Sequence, residues 1–277
     1  MTKISVFTIV HNEEEVIERC LRSVSEIADE ILVFHDGECQ DQTLEIAKRF
    51  TKNVFTLSYK GRASLHMITA FKKAKNDWLL KIDADEYLST ELKDNIRRLA
   101  QNPFADAYSF RWLLWDGKRY ATRNYSHKKA LFRKSRISFL QFPGWDEPST
   151  YPENTIKTNY LLHHKPKYGV NEAFLSWKKL WARSIRRGKD QAKYTLKDFN
   201  EIEKFQYYKK EFPLNIRIRR SFPLLSAPIF SIVALFKGIF SDGAWREGTI
   251  ILKGAIETSL FYLWLGREIY RLKCKQE

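Results

Sequence analysis

The chain has 277 residues, of which 44 % are hydrophobic and 29 % are charged, and this composition excludes an intrinsically disordered protein. Three scattered cysteines exclude a disulfide framework and a cysteine-rich zinc site. The formal net charge of +15 is uneven: residues 1–100 carry 15 Lys/Arg against 17 Asp/Glu, whereas residues 101–277 carry 33 against 16. The second part therefore favours an anionic partner, which could be nucleic acid, a membrane surface or an acidic substrate. The N-terminus lacks the pattern of a secretory signal, so we expect a cytoplasmic protein.

Apolar runs alternate with helical patterns over the first 90 residues. Runs rich in β-branched residues predict buried strands, and apolar residues at helical spacing predict helices between them. This alternation predicts a mostly parallel α/β sheet with helices on both faces. The predicted strands are Ile4–Val10, Glu30–Phe34, Val54–Tyr59 and Trp78–Ile82; the predicted helices follow an N-cap at Asn12 and span Gln42–Phe50 and Leu65–Ala74.

Residues 103–165 interrupt this regularity with prolines and mixed aromatic and basic residues. Strands are predicted at Ala107–Leu114, Ala130–Arg133 and Thr158–His163, which suggests an irregular, partly antiparallel second half of the same sheet. Helical patterns dominate from about residue 170, beginning with Asn171–Arg187. We therefore predict a catalytic domain over residues 1–168 and a basic helical extension over residues 169–277.

Two apolar stretches in the extension, Ser221–Phe236 and Thr258–Gly266, are flanked by basic residues. The first has 16 residues without a charge, which is short of the roughly 20 that span a bilayer as a helix. A helix buried in the protein core is one interpretation. The basic flanks and aromatic residues favour a surface that lies on an anionic membrane leaflet, and we predict membrane docking.

The start of the chain argues against direct diphosphate binding by the first helix. No glycine-rich phosphate loop follows Val10, and Glu13 to Glu15 place three carboxylates there instead. A divalent cation would be needed to neutralise a nucleotide's phosphates. Asp83 and Asp85 follow the fourth predicted strand, at the sheet edge where open α/β folds bind ligands. Two carboxylates in that position are suited to Mg²⁺ or Mn²⁺.

Three segments resemble motifs of family-2 glycosyltransferases with the GT-A fold: Ile4–Glu13, Ile31–Thr43 and Trp78–Ser89. The resemblance implies a nucleotide-sugar donor, a divalent metal, and a role in building bacterial lipopolysaccharide core or surface glycans. It also implies site residues. Thr8, His11, Asn12 and Glu13 would line the nucleobase pocket, and Asp36 would contact base or ribose. Asp85 would bind the metal with Asp83 nearer the ribose, and phosphate would be contacted by Arg62, by Lys60 or by the metal alone.

An inverting transfer also needs a carboxylate to take the proton of the acceptor hydroxyl. The loop around Trp145 offers Asp146 and Glu147, and we slightly favour Asp146. His163 and His164 end a predicted strand, where the family often places a histidine near the metal. Alternation along a strand lets only one of them face the site, and we favour His163.

These features predict an inverting, metal-dependent glycosyltransferase that uses a nucleotide sugar, preferably a UDP-sugar, at the inner face of the cell membrane. The expected acceptor is a lipid-linked or lipopolysaccharide-type glycan. One alternative is transfer to a polyprenyl phosphate, which needs no base. Another is a non-catalytic protein whose basic face, including Arg111–Arg136, binds nucleic acid or membrane. We prefer an anionic glycan as the partner of that segment and expect no nucleic acid.

Overall fold

An eight-stranded mixed sheet forms the centre of the chain. The computed structural model describes residues 2–115, 119–122, 126–143, 147–150, 153–166, 176–207, 209–241 and 249–275, apart from the side chains of residues 249–251. With strands numbered in chain order, the large sheet has the order β3 (Val54–Leu57), β2 (Glu30–Asp36), β1 (Ile4–Val10), β4 (Trp78–Lys81), β7 (His127–Arg133), β6 (Ala107–Leu114), β10 (Thr155–His164) and β5 (Glu86–Leu88). The first four positions in that order are mutually parallel, and antiparallel pairing begins between β4 and β7.

The parallel half confirms the alternation predicted from the sequence. The carboxyl ends of β1, β2 and β4 lie at one edge of the sheet, because these strands run the same way. A short 3-10 helix, Ala63–His66, precedes the third helix. The elements are β1 Ile4–Val10, α1 Ile17–Val24, β2 Glu30–Asp36, α2 Thr43–Lys48, β3 Val54–Leu57, α3 Met67–Lys73 and β4 Trp78–Lys81.

The second half is partly antiparallel, as expected, but it contains a helix and strands that the sequence patterns did not predict. Helix α4 begins after Ser89, whose hydroxyl accepts a hydrogen bond from Leu92 N. Strands β8 and β9 form a separate small sheet with a later strand, β11. The elements are β5 Glu86–Leu88, α4 Thr90–Gln101, β6 Ala107–Leu114, β7 His127–Arg133, β8 Ile137–Leu140, β9 Ser149–Thr150, β10 Thr155–His164 and β11 Lys204–Phe205.

Both faces of the sheet are covered, because alternate residues of each strand enter different cores. Strand β1 sends Ile4, Val6 and Val10 into a core with α1, α2 and α4. It sends Phe7 to the opposite face, where Phe71 of α3 and Phe132 pack edge to face with it. The predicted α/β fold with helices on both faces is thus confirmed.

The N-cap prediction at Asn12 is wrong. Asn12 has φ +53°, and α1 begins only at Ile17, with Val16 as its N-cap. Asparagine tolerates this left-handed conformation. The turn carries the chain across the end of β2, where the Asn12 amide oxygen accepts a hydrogen bond from Gln40 N.

Four helices and a short π-helix form the C-terminal part. Helix α8 packs against both α5 and α7. The predicted boundary between residues 168 and 169, and the start of the predicted helix at Asn171, lie outside the described residues. Within the described residues, one helical segment, Pro223–Ser241, is long and apolar enough to cross a membrane. The elements are α5 Trp177–Leu196, α6 Leu214–Ser221, α7 Pro223–Phe236, the π-helix Lys237–Ser241 and α8 Thr249–Lys273.

Candidate functional site

A large open cavity lies at the carboxyl ends of β1, β2 and β4. Its volume is about 1230 Å³. Ligand pockets are commonly roughly 300–1,000 Å³, so this cavity has room for two substrates side by side. Its walls also include residues of β6, β7, β10 and the π-helix.

One end of the cavity is built around Asp36, the last residue of β2. Its carboxylate is buried and contacts Lys60 N at 2.6 Å and His66 Nε2 at 2.8 Å. The ring of His11 lies 5.2 Å from that of Tyr59, and His11 Nδ1 is 2.6 Å from Asp36 O. Tyr59 is 67 % exposed and lines the cavity. The His11–Tyr59 pair therefore offers an aromatic surface beside a fixed carboxylate.

Two of the predicted nucleobase residues do not line this cavity. Thr8 is 1 % exposed, on the sheet face that carries Val6 and Val10, and its hydroxyl has no hydrogen-bond partner among the described residues. Asn12 is turned toward Gln40 by its left-handed backbone. The structure therefore does not place Thr8 and Asn12 in the cavity wall, and their role at a nucleobase stays a prediction. The other predicted donor-site residues, His11, Glu13, Asp36, Arg62 and Asp83, all line the cavity.

A turn, rather than an extended strand, brings Asp83 and Asp85 to the cavity. Strand β4 ends at Lys81, and Glu86 N donates to Asp83 O at 2.9 Å. Asp83 N in return donates to Glu86 Oε2 at 2.9 Å. Both aspartates line the cavity, as the sequence predicted, but the turn and not strand alternation places them there.

Asp83 is held from the protein side by Lys128 of β7. Lys128 Nζ lies 2.5 Å from Asp83 Oδ2 and 2.7 Å from each carboxylate oxygen of Glu86. Glu86 is fully buried and also accepts a hydrogen bond from Trp112 Nε1 at 2.7 Å. Burial opposes the charge of Asp83, but Lys128 and Lys81 outweigh it and hold the pKa of Asp83 well below its usual range. Asp83 is therefore anionic and already paired.

Asp85 has a different partner, His164 at the end of β10. His164 Nε2 lies 3.0 Å from Asp85 Oδ2, and Lys165 N donates to Asp85 O at 2.8 Å. Burial disfavours the protonated imidazole, but hydrogen bonding to Asp85 and the charges of Asp85 and Glu86 outweigh it and raise the pKa of His164. The carboxylate and the imidazole thus face the cavity together.

The structure favours His164 over His163, which we preferred from the sequence, because His164 lies beside Asp85 and His163 does not line the cavity. Its ring stacks on Tyr87 with centroids 4.8 Å apart and contacts Tyr120 edge-on, and burial lowers the pKa of His163. Alternation along β10 turns adjacent side chains to opposite faces, and the pairing of His164 with Glu86 in β5 puts His164 on the cavity side.

The residues present fit a divalent cation that shares its shell with other ligands. Within the part of the chain that the structure describes, no group of three or more His, Cys, Asp or Glu side chains is arranged to hold a metal. Asp85 supplies carboxylate oxygens and His164 supplies a ring nitrogen, which binds a cation only in the neutral form of the imidazole, whereas Lys128 already occupies one oxygen of Asp83. Hard cations such as Mg²⁺ commonly take one or two protein carboxylates and complete their shell with water and substrate phosphates.

Glu147 lies in the cavity wall, whereas Asp146 and Trp145 lie outside the described residues. Burial raises the pKa of Glu147, against the opposing charges of Lys81 and Lys128. A carboxylate with a raised pKa is a better proton acceptor than an ordinary one. Glu147 can therefore serve as a base here, and the role of Asp146 stays a prediction.

Arg62 connects the cavity to the C-terminal helices. Its guanidinium lies 3.3 Å from Asp190 Oδ2 of α5, and the arginine also lines the cavity. The side chains are 23 % and 46 % exposed, so the pair is open to exchange with a soluble anion. The predicted phosphate contact by Arg62 stays a prediction.

Sequence reasoning missed Glu86, Trp112 and Lys128, and it did not favour His164. The sequence offers a signal for Glu86, which directly follows the two aspartates. It offers none for Lys128, because this residue reaches the site only through the pairing of distant strands.

Comparison with known proteins places this site in a family context. The family model described as Glycosyl transferase family 2 matches residues 5–161, which include the cavity residues of β1, β2, β4, β6 and β7. An uncharacterized glycosyltransferase of Rickettsia typhi is 42 % identical over 111 residues, covering 39 % of this chain and 36 % of that protein. A counterpart from Rickettsia bellii is 43 % identical over 109 residues, covering 38 % and 35 %. The matched stretches thus span about a third of the length of these relatives.

A solved structure shares the fold over nearly the whole chain. The mannosyltransferase PcManGT from Pyrobaculum calidifontis, solved with GDP-mannose and Mn²⁺, superposes with a TM-score of 0.52 at 15 % identity. The match covers 98 % of this chain and 88 % of that protein. At this identity the likeness concerns the fold alone, and it extends through the C-terminal helices.

Proposed function

This chain belongs to glycosyl transferase family 2, and we propose that it transfers a sugar from a nucleotide-sugar donor to a lipid-linked or lipopolysaccharide-type glycan with inversion at the anomeric carbon. The observation that carries the proposal is the pairing of Asp85 with His164 at the cavity, beside a fixed Asp83 and a wall carboxylate, Glu147. Together these supply a cation site and a base in one cavity.

The donor would lie between the Asp36 end of the cavity and the Asp83–Asp85 turn. His11 and Tyr59 offer a surface for a nucleobase, and Asp36, locked by His66 and Lys60 N, offers a fixed acceptor to base or ribose. Arg62 could leave Asp190 to meet a phosphate. PcManGT binds GDP-mannose, which supports a nucleotide-sugar donor in this fold, and we favour a UDP-sugar.

Mg²⁺ or Mn²⁺ would be held by Asp85 and His164. Asp83 would stay nearer the ribose, because Lys128 already neutralises it. When bound, the cation supplies positive charge against the developing charge of the leaving diphosphate. PcManGT was solved with Mn²⁺, which supports a divalent metal in this fold.

The transfer would proceed by a single displacement. The acceptor hydroxyl oxygen attacks the anomeric carbon and its proton passes to Glu147, or to Asp146, as the bond to the diphosphate breaks. The diphosphate leaves with the electron pair of that bond. The raised pKa of Glu147 suits this role because it strengthens the base.

Transfer to a polyprenyl phosphate is the second candidate, and lysines in the cavity wall favour it. Lys129, Lys157 and Lys237 line the cavity. A phosphate acceptor is already anionic, so this reaction would not need Glu147. In either case we place the enzyme at the cytoplasmic face of the cell membrane, because α7 exposes large apolar side chains.

Thermal unfolding with a nucleotide panel, with and without Mn²⁺, tests the donor proposal. A ligand at about 100 times its Kd adds roughly 2.7 kcal/mol to the free energy of unfolding. We expect a UDP-sugar to stabilise the native protein only with Mn²⁺, and Asp85→Asn to remove that shift. Asp94→Asn is the matched control, since Asp94 is exposed on α4 outside the cavity. No nucleotide shift with any divalent metal would contradict the proposal.

A further inference from the structure

Helix α7 packs in the opposite way to an amphipathic surface helix of a water-soluble protein, which turns its large apolar residues inward. Its small residues face α8: Ser231 Oγ lies 2.6 Å from Ser259 Oγ, and Ala227 lies against Gly266. Its large apolar residues face outward. We call this outward surface the apolar face; it consists of Leu224, Leu225, Ile229, Ile232, Val233, Phe236 and Phe240, each 51–70 % exposed.

A contiguous exposed apolar surface of this kind indicates a partner. In water, helices pack their large apolar residues inward, whereas helices that contact lipid pack through small residues and turn large ones to the acyl chains. Small residues of α7, together with Phe230, whose ring stacks on Tyr262, form the interface with α8, while the large aliphatic residues are exposed, so α7 follows the second pattern. A lipid phase is therefore the occupant that the arrangement favours.

Charge makes an anionic lipid surface the fitting one. Residues 101–277 carry 33 Lys/Arg against 16 Asp/Glu. Arg217 is exposed just before the apolar face, and Lys237 is exposed within it. Basic residues beside an interfacial apolar helix reach the lipid headgroups and are attracted to anionic lipids.

The end of the apolar face is also a wall of the catalytic cavity. Lys237 and Ser241, the two ends of the π-helix, line the same cavity as Asp83 and Asp85. A bilayer that contacts Phe236 and Phe240 would therefore bring its headgroups to the mouth of that cavity.

Of the lysines that line the cavity, Lys157 and Lys237 are the two without a carboxylate partner among the described residues. The other cavity cations have carboxylate partners: Lys128 with Asp83 and Glu86, Lys81 with Asp83, Lys129 with Glu153 and Arg62 with Asp190. Lys157 and Lys237 are exposed and make no ion pair with any described residue. They stand ready for an anion that is not part of the protein.

We propose that the apolar face inserts into one leaflet of an anionic bilayer, and that Lys237 and Lys157 then bind the phosphate of a lipid-anchored acceptor at the cavity mouth. This inference rests on the proposed glycosyl transfer and adds the route by which the acceptor arrives. The acceptor reaches the cavity from the bilayer plane and not from bulk water.

Vesicle flotation tests the docking part without any nucleotide. We expect the full chain to float with vesicles of phosphatidylcholine mixed with phosphatidylglycerol at least about tenfold better than with phosphatidylcholine alone, and less so at high salt. The triple variant Leu225→Ser, Ile229→Ser, Val233→Ser should lose about tenfold or more of this binding. Phe104→Ser is the matched control, because Phe104 is exposed far along the chain from the apolar face.

A second measurement keeps this test decisive if the triple variant folds poorly. Ile229→Trp retains an apolar side chain, and brominated lipids should quench its added fluorescence if the face enters the bilayer. Three results would overturn docking. The first is that the triple variant floats as well as the native protein. The second is that the native protein resists alkaline carbonate extraction, and the third is that the triple variant converts an oligomer to a monomer without loss of flotation. The last two would indicate a membrane-spanning helix and an interface between copies of this chain, respectively.

Titration calorimetry with soluble short-chain lipids tests the lysines. We expect dihexanoyl phosphatidic acid to bind and dihexanoylglycerol not to bind. The double variant Lys237→Glu, Lys157→Glu should lower the affinity for dihexanoyl phosphatidic acid at least about tenfold. The double variant Lys237→Arg, Lys157→Arg keeps both charges and should bind it within about threefold of the native affinity. Lys72→Glu, on the exposed surface of α3, is the control. Equal binding of inorganic phosphate, or no effect of the first double variant, would overturn the lipid-phosphate assignment. Failure of the donor proposal would appear separately, in the Mn²⁺-dependent thermal shift.

Discussion

Lys128 Nζ lies 2.5 Å from Asp83 Oδ2 and binds the buried Glu86 with the same ammonium group. One ammonium group thus pairs with two carboxylates, and Asp83, which Lys81 Nζ also approaches at 3.6 Å, has cationic partners before any ligand arrives. The two aspartates of the motif are therefore not equivalent. Asp83 is paired inward, whereas Asp85 faces the cavity with His164.

Removing Lys128 should destabilise the fold. The Lys128 side chain is 8 % exposed and that of Glu86 is fully buried, so Lys128→Met leaves a buried carboxylate without its cation. We expect a loss of about 3–5 kcal/mol in the free energy of unfolding, measured by urea denaturation. Lys72→Met is the matched control, since its ion pair with Glu203 is largely exposed and should contribute less than about 1 kcal/mol. Equal effects of the two variants would contradict the role of Lys128.

The two aspartates should separate when metal binding is measured directly. Asp85→Asn removes a carboxylate from the proposed cation site, and we expect Mn²⁺ affinity in the presence of UDP to fall by more than about 100-fold. Asp83→Asn changes a residue next to that site and should lower the Mn²⁺ affinity only about tenfold. Mn²⁺ titration followed by electron paramagnetic resonance gives both values without an acceptor.

Asp83→Asn should also lower stability, because Lys128 loses one of its two carboxylates, whereas Asp85→Asn should leave urea unfolding close to that of the native protein. If Asp83→Asn lowered Mn²⁺ affinity more than Asp85→Asn did, Asp83 would be the main metal ligand, and its pairing with Lys128 would not keep it from the metal.

Local sequence patterns predict where strands and helices lie. They do not predict contacts that depend on how distant strands pair. Apolar runs mark where β2 and β4 end, close to Asp36 and Asp83. The meeting of these two aspartates at one edge of the sheet could therefore be predicted. Lys128 meets Glu86 across 42 residues of chain, and no local pattern marks that partnership. The choice between His163 and His164 depends on the register of β10 against β5, which alternation alone cannot supply.

Activity should fall on the acid side at a higher pH than an ordinary glutamate would give. Burial raises the pKa of Glu147, and a base acts only when it is deprotonated. Lowering the pH through that raised pKa therefore protonates Glu147 and stops transfer to a hydroxyl. We expect kcat/KM of the native protein to follow the deprotonated fraction of Glu147, and Glu147→Gln to abolish activity.

Donor binding is the internal control for this profile, since Glu147→Gln should still show the Mn²⁺-dependent thermal shift with UDP. Full activity of Glu147→Gln would point to Asp146 or to an acceptor that is already anionic. A doubly substituted Asp146→Asn, Glu147→Gln protein separates these two outcomes, because it should be inactive only if the acceptor is a hydroxyl.

Two glycines of α8 should respond in opposite directions to the same substitution. A Cβ at Gly266 would overlap Ala227 Cβ and lie 2.6 Å from Pro223 O, so Gly266→Ala must push α7 away from α8. Overpacking of this kind costs about 1–3 kcal/mol, which exceeds the gain of about 1 kcal/mol that alanine brings to a helix. At Gly254 no atom lies within 4 Å of the added Cβ among the described residues, so Gly254→Ala keeps the helix gain. Urea unfolding should therefore show Gly266→Ala less stable and Gly254→Ala more stable than the native protein.

Because α7 carries the apolar face, Gly266→Ala should also weaken vesicle flotation. A Gly266→Ala protein as stable as the native one would mean that α7 is not held against α8 by this contact.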